Sequence, residues 1–179
     1  MGKYLVVALS LALAACGTTA GHSENTAQPA PSGKWSDYSY AKEGFAVSAP
    51  TEPSLTTQTA ETAAGPVEMH LYQVEVGAGM LLVVTSRLHT KDKRTAQQVI
   101  AESKQGAAAA VHGKLAAQKA IALGKYPGTE IEIAADKTHS RNRIYVVNRK
   151  IYQVMAIGPV DRALPRETDQ FYQSFRLLE

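Results

Sequence analysis

The stretch RIYVVNRKIYQVMAIGP, residues 143–159, decides the fold. Two runs rich in β-branched and aromatic residues, 140–148 and 151–157, meet at the polar sequence Asn148-Arg149-Lys150. Runs of this composition, separated by so short a polar connection, predict two antiparallel strands in a tight hairpin. An antiparallel sheet is therefore expected at the centre of the fold.

Six segments before this hairpin also have strand patterns. They are residues 44–50, 53–61, 67–76, 80–85, 114–123 and 128–135. The third and fourth of these segments, 67–76 and 80–85, flank a Gly-Ala-Gly turn and predict a hairpin. Residues 80–85, MLLVVT, are apolar almost throughout, so this strand is expected in mid-sheet with both faces covered. Residues 124–128, GKYPG, predict a turn in which Tyr126 covers the core, a recognition surface being the alternative.

Two segments have helical periodicity. Residues 95–111 place small or apolar side chains on one face, with Thr95 as the expected N-cap and Gly113 as the expected stop. A closing helix is predicted over residues 165–177, since Pro165 suits a first turn. The order of strands, helix, strands and helix predicts an α+β fold, an antiparallel β-sheet flanked by helices, in one domain over residues 34–179.

Three stretches of this domain carry a resemblance to a known fold family. They are GFAVSAP (44–50), GKLAAQKAIALGKYPGTEIEI (113–133) and the hairpin with its following helix. In this order they resemble the PsbP-like α/β/α sandwich, and the resemblance implies that architecture. The family includes lipid-anchored or secreted proteins and assembly factors that bind other proteins. It supplies no catalytic signature, so none is assigned.

The first sixteen residues have the pattern of an export signal. Lys3 precedes an apolar run over residues 4–15, which is too short for a membrane-spanning helix but typical of a signal peptide. Leu13-Ala14-Ala15-Cys16 resembles the bacterial lipobox, which implies a diacylglycerol on the Cys16 sulfur and removal of residues 1–15. The alternatives are an ordinary signal peptide with an incidental cysteine and a cytosolic catalytic thiol. A catalytic thiol needs a base and an orienting group, and this segment supplies neither.

Residues 16–33 follow as a predicted tether. They contain no large aliphatic or aromatic residue, so they are expected to be disordered and to act as a spacer. The expected location is the cell envelope, with the lipid on Cys16 in a membrane leaflet. If the host is Gram-negative, Gly17 after the cysteine favours the periplasmic face of the outer membrane. Cys16 is the only cysteine, so no intrachain disulfide is expected.

The remaining reactive side chains give no catalytic or metal-binding pattern. The five histidines do not fall at metal-ligand spacing, and His70 is expected to be a hydrogen-bonded sheet residue. No nucleophile elbow, phosphate loop or dinucleotide glycine motif is present. Glu130 and Glu132 share a strand face, where a solvated surface is expected and a glycosidase pair is the alternative. We therefore predict no catalytic residues, no metal and no cofactor.

Charge is the last pattern in the sequence. Residues 34–86 carry two lysines against six acids, net −4, whereas residues 87–179 carry sixteen cations against nine acids, net +7. A candidate patch for an anionic partner lies in the basic half: Lys137, His139, Arg141, Arg143, Arg149 and Lys150. The alternatives are a solvated strand face and a charged edge strand. Nucleic acid is not an expected partner, because base-stacking aromatics do not interleave with these cations.

These observations favour a non-enzymatic binding or assembly module held at a membrane by Cys16. Its expected partner is another envelope protein or an anionic envelope component. An extracytoplasmic hydrolase with an unrecognised site and a passive structural lipoprotein are the alternatives. A binding module is expected to have a groove without converging titratable groups, and a hydrolase to have a nucleophile within reach of a base.

Overall fold

The computed structural model describes residues 34–62 and 65–178. The predicted signal peptide (1–15) and tether (16–33), including Cys16, lie outside the described residues. The strands and helices follow in chain order: β1 (Ser36–Tyr40), β2 (Phe45–Ala49), β3 (Ser54–Thr62), β4 (Gly65–Val76), β5 (Gly79–Arg87), α1 (Ala96–Ala110), β6 (Lys114–Leu123), β7 (Tyr126–Ala134), β8 (Thr138–Val147), β9 (Lys150–Pro159), α2 (Thr168–Ser174) and β10 (Arg176–Leu177).

Within the described residues, seven strands form one antiparallel sheet in the order β3-β4-β5-β9-β8-β7-β6. Both predicted hairpins are confirmed, β4 with β5 and β8 with β9. The β8–β9 turn consists of Asn148 and Arg149, whose φ angles of 48° and 66° are those of a two-residue type I′ turn. As predicted, β5 lies in mid-sheet, and residues 81–85 are buried on both faces.

One face of this large sheet is covered by a second, three-stranded sheet in the order β1-β2-β10, together with α2. Aromatic side chains fill the interface between these layers. Phe45 of β2 contacts the rings of Tyr72, Tyr152 and Phe175, with ring centres 5.3, 6.4 and 5.7 Å away. This aromatic layer is the main core of the protein.

The predicted antiparallel sheet flanked by helices is confirmed in part: α2 lies on this face, but most of the covering layer is β-sheet. The strands β1 and β10 were not predicted, and the predicted helix over 165–177 is reduced to the seven residues of α2. The backbone of Phe175 is extended, with φ −65° and ψ 124°, so the helix cannot continue. Arg176 and Leu177 then pair with β2. The fold is mostly antiparallel β-sheet with two helices.

The opposite face of the large sheet carries α1. The predicted N-cap is confirmed: Thr95 accepts from the Gln98 backbone N–H, and the Gln98 side chain accepts from the Thr95 N–H. The helix ends at Ala110, where His112 rather than Gly113 takes the left-handed conformation, with φ 50°. α1 packs against β6, β7 and β8, so it covers only one half of this face.

The predicted turn at residues 124–128 is also corrected. Only Gly124 and Lys125 form the turn, and β7 begins at Tyr126. Gly128 pairs directly with Tyr145, and a Cβ atom at Gly128 would lie 2.4 Å from the Tyr145 ring. Glycine therefore serves close packing of two strands here rather than chain reversal. Tyr126 packs against the main core, as expected.

Candidate functional site

An apolar cavity lies between α1 and the half of the sheet that the helix does not cover. Its floor is formed by the outer face of β4, β5 and β9, and α1 forms its roof. The cavity volume is about 160 Å³. We call this space the α1 cavity. It is partly open to solvent, and it is smaller than the roughly 300–1,000 Å³ typical of pockets for drug-sized ligands.

The floor of the α1 cavity is a group of aliphatic and methionine side chains. Leu71, Leu82, Val84 and Met155 are buried, and Met69, Met80 and Ile157 are partly buried beside them. These residues alternate along their strands with the residues of the main core, so both faces of the strands are apolar. Methionine adapts its shape readily, which suits the floor of a site that must accept a ligand.

The roof of the α1 cavity is made of small residues. Val99 is buried, but two turns further on α1 presents Gly106, Ala107 and Ala110 to the cavity. A Cβ atom built on Gly106 meets no heavy atom within 4 Å. The space therefore exists because no side chain of α1 reaches down to the methionine floor.

Two side-chain amides lie at the sheet surface beneath α1. Gln153 lines the α1 cavity, and its Oε1 atom accepts a hydrogen bond of 3.0 Å from Nδ2 of Asn142. Asn142 has no exposed surface, and its Oδ1 atom has no hydrogen-bond partner. No other described residue accepts from the amide NH₂ group of Gln153. The Gln153 NH₂ group is therefore a donor that a ligand or water in the α1 cavity can use, whereas the Asn142 oxygen is enclosed by protein and does not line the cavity.

The charged groups at the rim of the α1 cavity neutralise one another. The Arg94 guanidinium donates to both carboxylate oxygens of Asp92, at 2.9 and 3.0 Å from Nε, and it also binds Glu102. These hydrogen bonds hold the pKa of Asp92 far below its usual range, at about 2. Asp92 is buried and Arg94 is fully engaged, so the rim offers no free cation to an anionic ligand.

A second, polar cleft lies at the end of β5 that is near the β8–β9 turn. Its central group is Glu43, in the loop between β1 and β2, where Gly44 permits a left-handed turn with φ 74°. One oxygen of the Glu43 carboxylate accepts from Lys150 and from the Thr85 hydroxyl, each at 2.7 Å. The other oxygen lies 2.7 Å from Nδ1 of His70. We call these four residues the Glu43 network.

Burial and hydrogen bonding act in opposite directions on Glu43. Burial alone raises the pKa of this carboxyl group, but hydrogen bonds from Lys150, Thr85 and His70 outweigh it and lower the pKa from 4.5 to about 2. The carboxylate therefore stays ionised near neutral pH and is a weak proton acceptor. Its stabilising contribution is lost only as the pH falls from about 4.5 towards 2.

His70 is the sheet-bound, hydrogen-bonded histidine that the sequence predicts. Its Nε2 atom lies 2.8 Å from Glu68, so each ring nitrogen faces a carboxylate. The hydrogen bond to Glu43 and, to a lesser degree, that to Glu68 raise the pKa of His70 above 6.5. The Thr85 hydroxyl is 1 % exposed and already donates to Glu43. The side chains of the cleft thus bind one another in a structural arrangement.

The structure places the six residues of the predicted basic patch in different surroundings. Lys137 and Arg149 are exposed, and His139 is half-buried. Lys150 is buried in the Glu43 network. The Arg149 side chain donates to the main-chain carbonyls of His89 and Asp92. An anionic partner for this patch stays a prediction.

Arg141 and Arg143 share one face of β8, as predicted, and this face is turned towards α2. Their guanidinium carbons lie 4.9 and 4.5 Å from the centre of the Tyr172 ring. Arg141 also binds Asp169, and Arg143 donates to Glu130 at 2.6 Å. These cation–π and ion-pair contacts attach α2 to the large sheet.

The expectation that Glu130 and Glu132 both lie on a solvated surface is wrong for Glu130. Glu132 is exposed, but Glu130 is only 4 % exposed and binds both Lys119 and Arg143. Burial raises the pKa of Glu130, yet hydrogen bonds from the two cations outweigh it and leave the pKa below its usual value. This carboxylate is a structural anion beneath the basic face.

Within residues 34–62 and 65–178, His, Cys, Asp and Glu side chains do not gather in groups of three or more that could hold a metal ion. In the same ranges, neither helix has the length and apolarity needed to cross a bilayer.

Comparison with solved structures shows that the chain has a PsbP-like fold. A similar structure is the solution structure of cyanobacterial PsbP (CyanoP) from Synechocystis. It is 14% identical, the match covers 88% of this chain and 98% of that chain, and the TM-score is 0.50. At this identity the likeness concerns the fold alone. No protein-family model and no curated protein matches the chain.

Replacing Glu43 by Gln tests whether the Glu43 network holds the layers together. We expect Glu43→Gln to lower the free energy of unfolding by about 3 kcal/mol, because the buried Lys150 ammonium loses its counter-ion. Urea unfolding followed by circular dichroism measures this loss. The matched control is Glu132→Gln, an exposed carboxylate, with an expected change within about 0.5 kcal/mol. Adding Lys150→Met to Glu43→Gln should recover part of the loss. Equal stabilities of Glu43→Gln and Glu132→Gln would contradict the assignment.

The raised pKa of His70 predicts a pH-dependent contribution to stability. A histidine whose pKa is higher in the folded state stabilises the fold fully below about 6.5 and loses this contribution as the pH rises through the raised pKa. The stability difference between wild type and His70→Gln should therefore be larger at pH 5.5 than at pH 8.5. His89→Gln, at an exposed histidine, is the control and should show no such trend. The assignment fails if the His70→Gln difference is the same at both pH values.

Proposed function

We propose that this protein is a lipid-anchored binding module of the cell envelope that holds a ligand in the α1 cavity without transforming it. The observation that carries the proposal is the cavity itself: its floor and roof are apolar, and its rim charges are already paired. A catalytic site would need a nucleophile and a base that converge on a bound molecule. In the polar cleft, the Glu43 carboxylate and the Thr85 hydroxyl come closest to such a pair. Both are already hydrogen-bonded within the Glu43 network.

The anchor in this proposal is the lipid on Cys16. Its support is the sequence Leu13-Ala14-Ala15-Cys16 after a short apolar run. Each buried methylene contributes about 0.8 kcal/mol to membrane affinity, so the two or more acyl chains of a lipoprotein hold the chain stably. Residues 16–33 then act as the spacer, and the described domain lies at the membrane surface. In a Gram-negative host this surface is the periplasmic face of the outer membrane.

The anchor is tested by metabolic labelling of the full chain in its host with an alkyne-bearing fatty acid. The wild type should take up the label and yield a mature N-terminus at residue 16, as read by mass spectrometry. Cys16→Ala removes the acceptor sulfur and should abolish the label, whereas Ser23→Ala in the spacer should leave it unchanged. An unlabelled wild type, or one that retains residues 1–15, would disprove the anchor.

Binding without turnover is tested with a small neutral ester, ethyl butyrate, which offers an apolar chain and a scissile bond together. We expect the mature chain, residues 16–179 with Cys16→Ala, to bind the ester, as seen by shifts of backbone amide NMR signals in α1 and β9. Release of butyrate and ethanol, followed by proton NMR, should proceed at the rate measured in buffer. A rate that rises in proportion to protein concentration would favour the hydrolase alternative instead.

A further inference from the structure

Resting on the proposed binding function, we infer that the α1 cavity selects a small neutral ligand: a hydrocarbon body with one uncharged carbonyl group that accepts a hydrogen bond from Gln153. Three features of the cavity specify this class. They are its volume, its lack of unpaired charge, and the NH₂ group of Gln153.

The volume and lining specify the body of the ligand. A cavity of about 160 Å³ between methionine, leucine and valine side chains accepts a short alkyl chain or a single ring. Gly106 leaves the space above the floor open, since a Cβ atom there touches nothing within 4 Å. Because the floor and the roof are both apolar, each additional methylene group of the ligand strengthens binding.

The rim specifies that the ligand is uncharged. Arg94 and Glu102 are the only charged residues that line the α1 cavity in the described part of the chain, and they bind each other. The remaining hydrogen bonds of Arg94 go to Asp92. An anion entering the cavity would lose its hydration without gaining a free cation, and an unpaired buried charge is expensive.

Gln153 specifies the polar group. Its side chain lines the α1 cavity, and its NH₂ group has no acceptor among the described residues, so a carbonyl oxygen on the ligand is the complementary partner. A plain hydrocarbon would fill the space but leave this donor without an acceptor.

The test compares three probes of similar size on the mature chain, residues 16–179 with Cys16→Ala, in detergent-free buffer at pH 7. Hexanamide has the inferred chemistry, hexanoate replaces its amide by an anion of nearly the same shape, and toluene has no polar group. Isothermal titration calorimetry should rank hexanamide first, with hexanoate at least tenfold weaker. Shortening hexanamide to pentanamide should weaken binding about fourfold, the effect of one buried methylene.

Three variants locate the binding. Gly106→Phe places a ring in the open space of the roof and should weaken all three probes at least tenfold. Ala109→Phe, on the exposed side of the same helix, is the matched control and should leave binding unchanged. Gln153→Leu should weaken hexanamide about tenfold and leave toluene unchanged or tighter, because it removes only the amide donor. Circular dichroism verifies that each variant remains folded.

Each result decides one part of the inference. If hexanoate binds as tightly as hexanamide, or if Gln153→Leu affects toluene and hexanamide equally, the ligand class is wrong while the proposed binding function stands. If none of the probes binds the wild type, or if Gly106→Phe leaves binding unchanged, the α1 cavity is not the site and the proposed function fails with it. A wild-type dimer that Gly106→Phe dissociates would identify a second copy as the occupant and overturn the inference.

Discussion

The fold depends on two neighbouring strands, β5 and β9, that are apolar on both faces. Both faces of such strands must be buried, so each face of the large sheet needs a covering layer. The inner face receives the three-stranded sheet and α2, whose aromatic rings fill the main core. The outer face receives α1, which packs mainly on β6, β7 and β8. The α1 cavity is the part of the outer face that this incomplete cover leaves.

The Glu43 network fixes the position of the two sheets relative to each other. Apolar contacts between two sheets tolerate sliding, whereas Glu43 in the β1–β2 loop reaches Lys150 at the start of β9 and Thr85 in β5. Removing a carboxylate and an ammonium group from water is costly, and the three hydrogen-bonding partners of the Glu43 carboxylate offset that cost only in one arrangement. The hydroxyl of Tyr152 fixes the same loop by donating to the Glu43 carbonyl at 2.8 Å. Polar contacts thus set the register of an otherwise apolar interface.

The sequence predicts the large sheet well because its strands are long, periodic and joined by short turns. It does not predict β1 and β10, since Ser36–Tyr40 and Arg176–Leu177 carry weak strand signals and become strands only by pairing with β2. The Glu43 network joins residues up to 107 positions apart, which no local pattern indicates. The small side chains on one face of α1 are visible in the sequence, but they do not by themselves distinguish close packing from a cavity. On β7 and β8 those alanines do pack closely, but beside β9 they leave space.

Gly106 is the residue of α1 that stability alone does not explain. Glycine in a helix costs about 1 kcal/mol against alanine, and a Cβ atom at this position would meet nothing within 4 Å. A larger side chain at position 106 would raise helix propensity and cover more of the methionine floor. The chain instead keeps glycine in the roof above an apolar floor, and a ligand that fills this space accounts for both features.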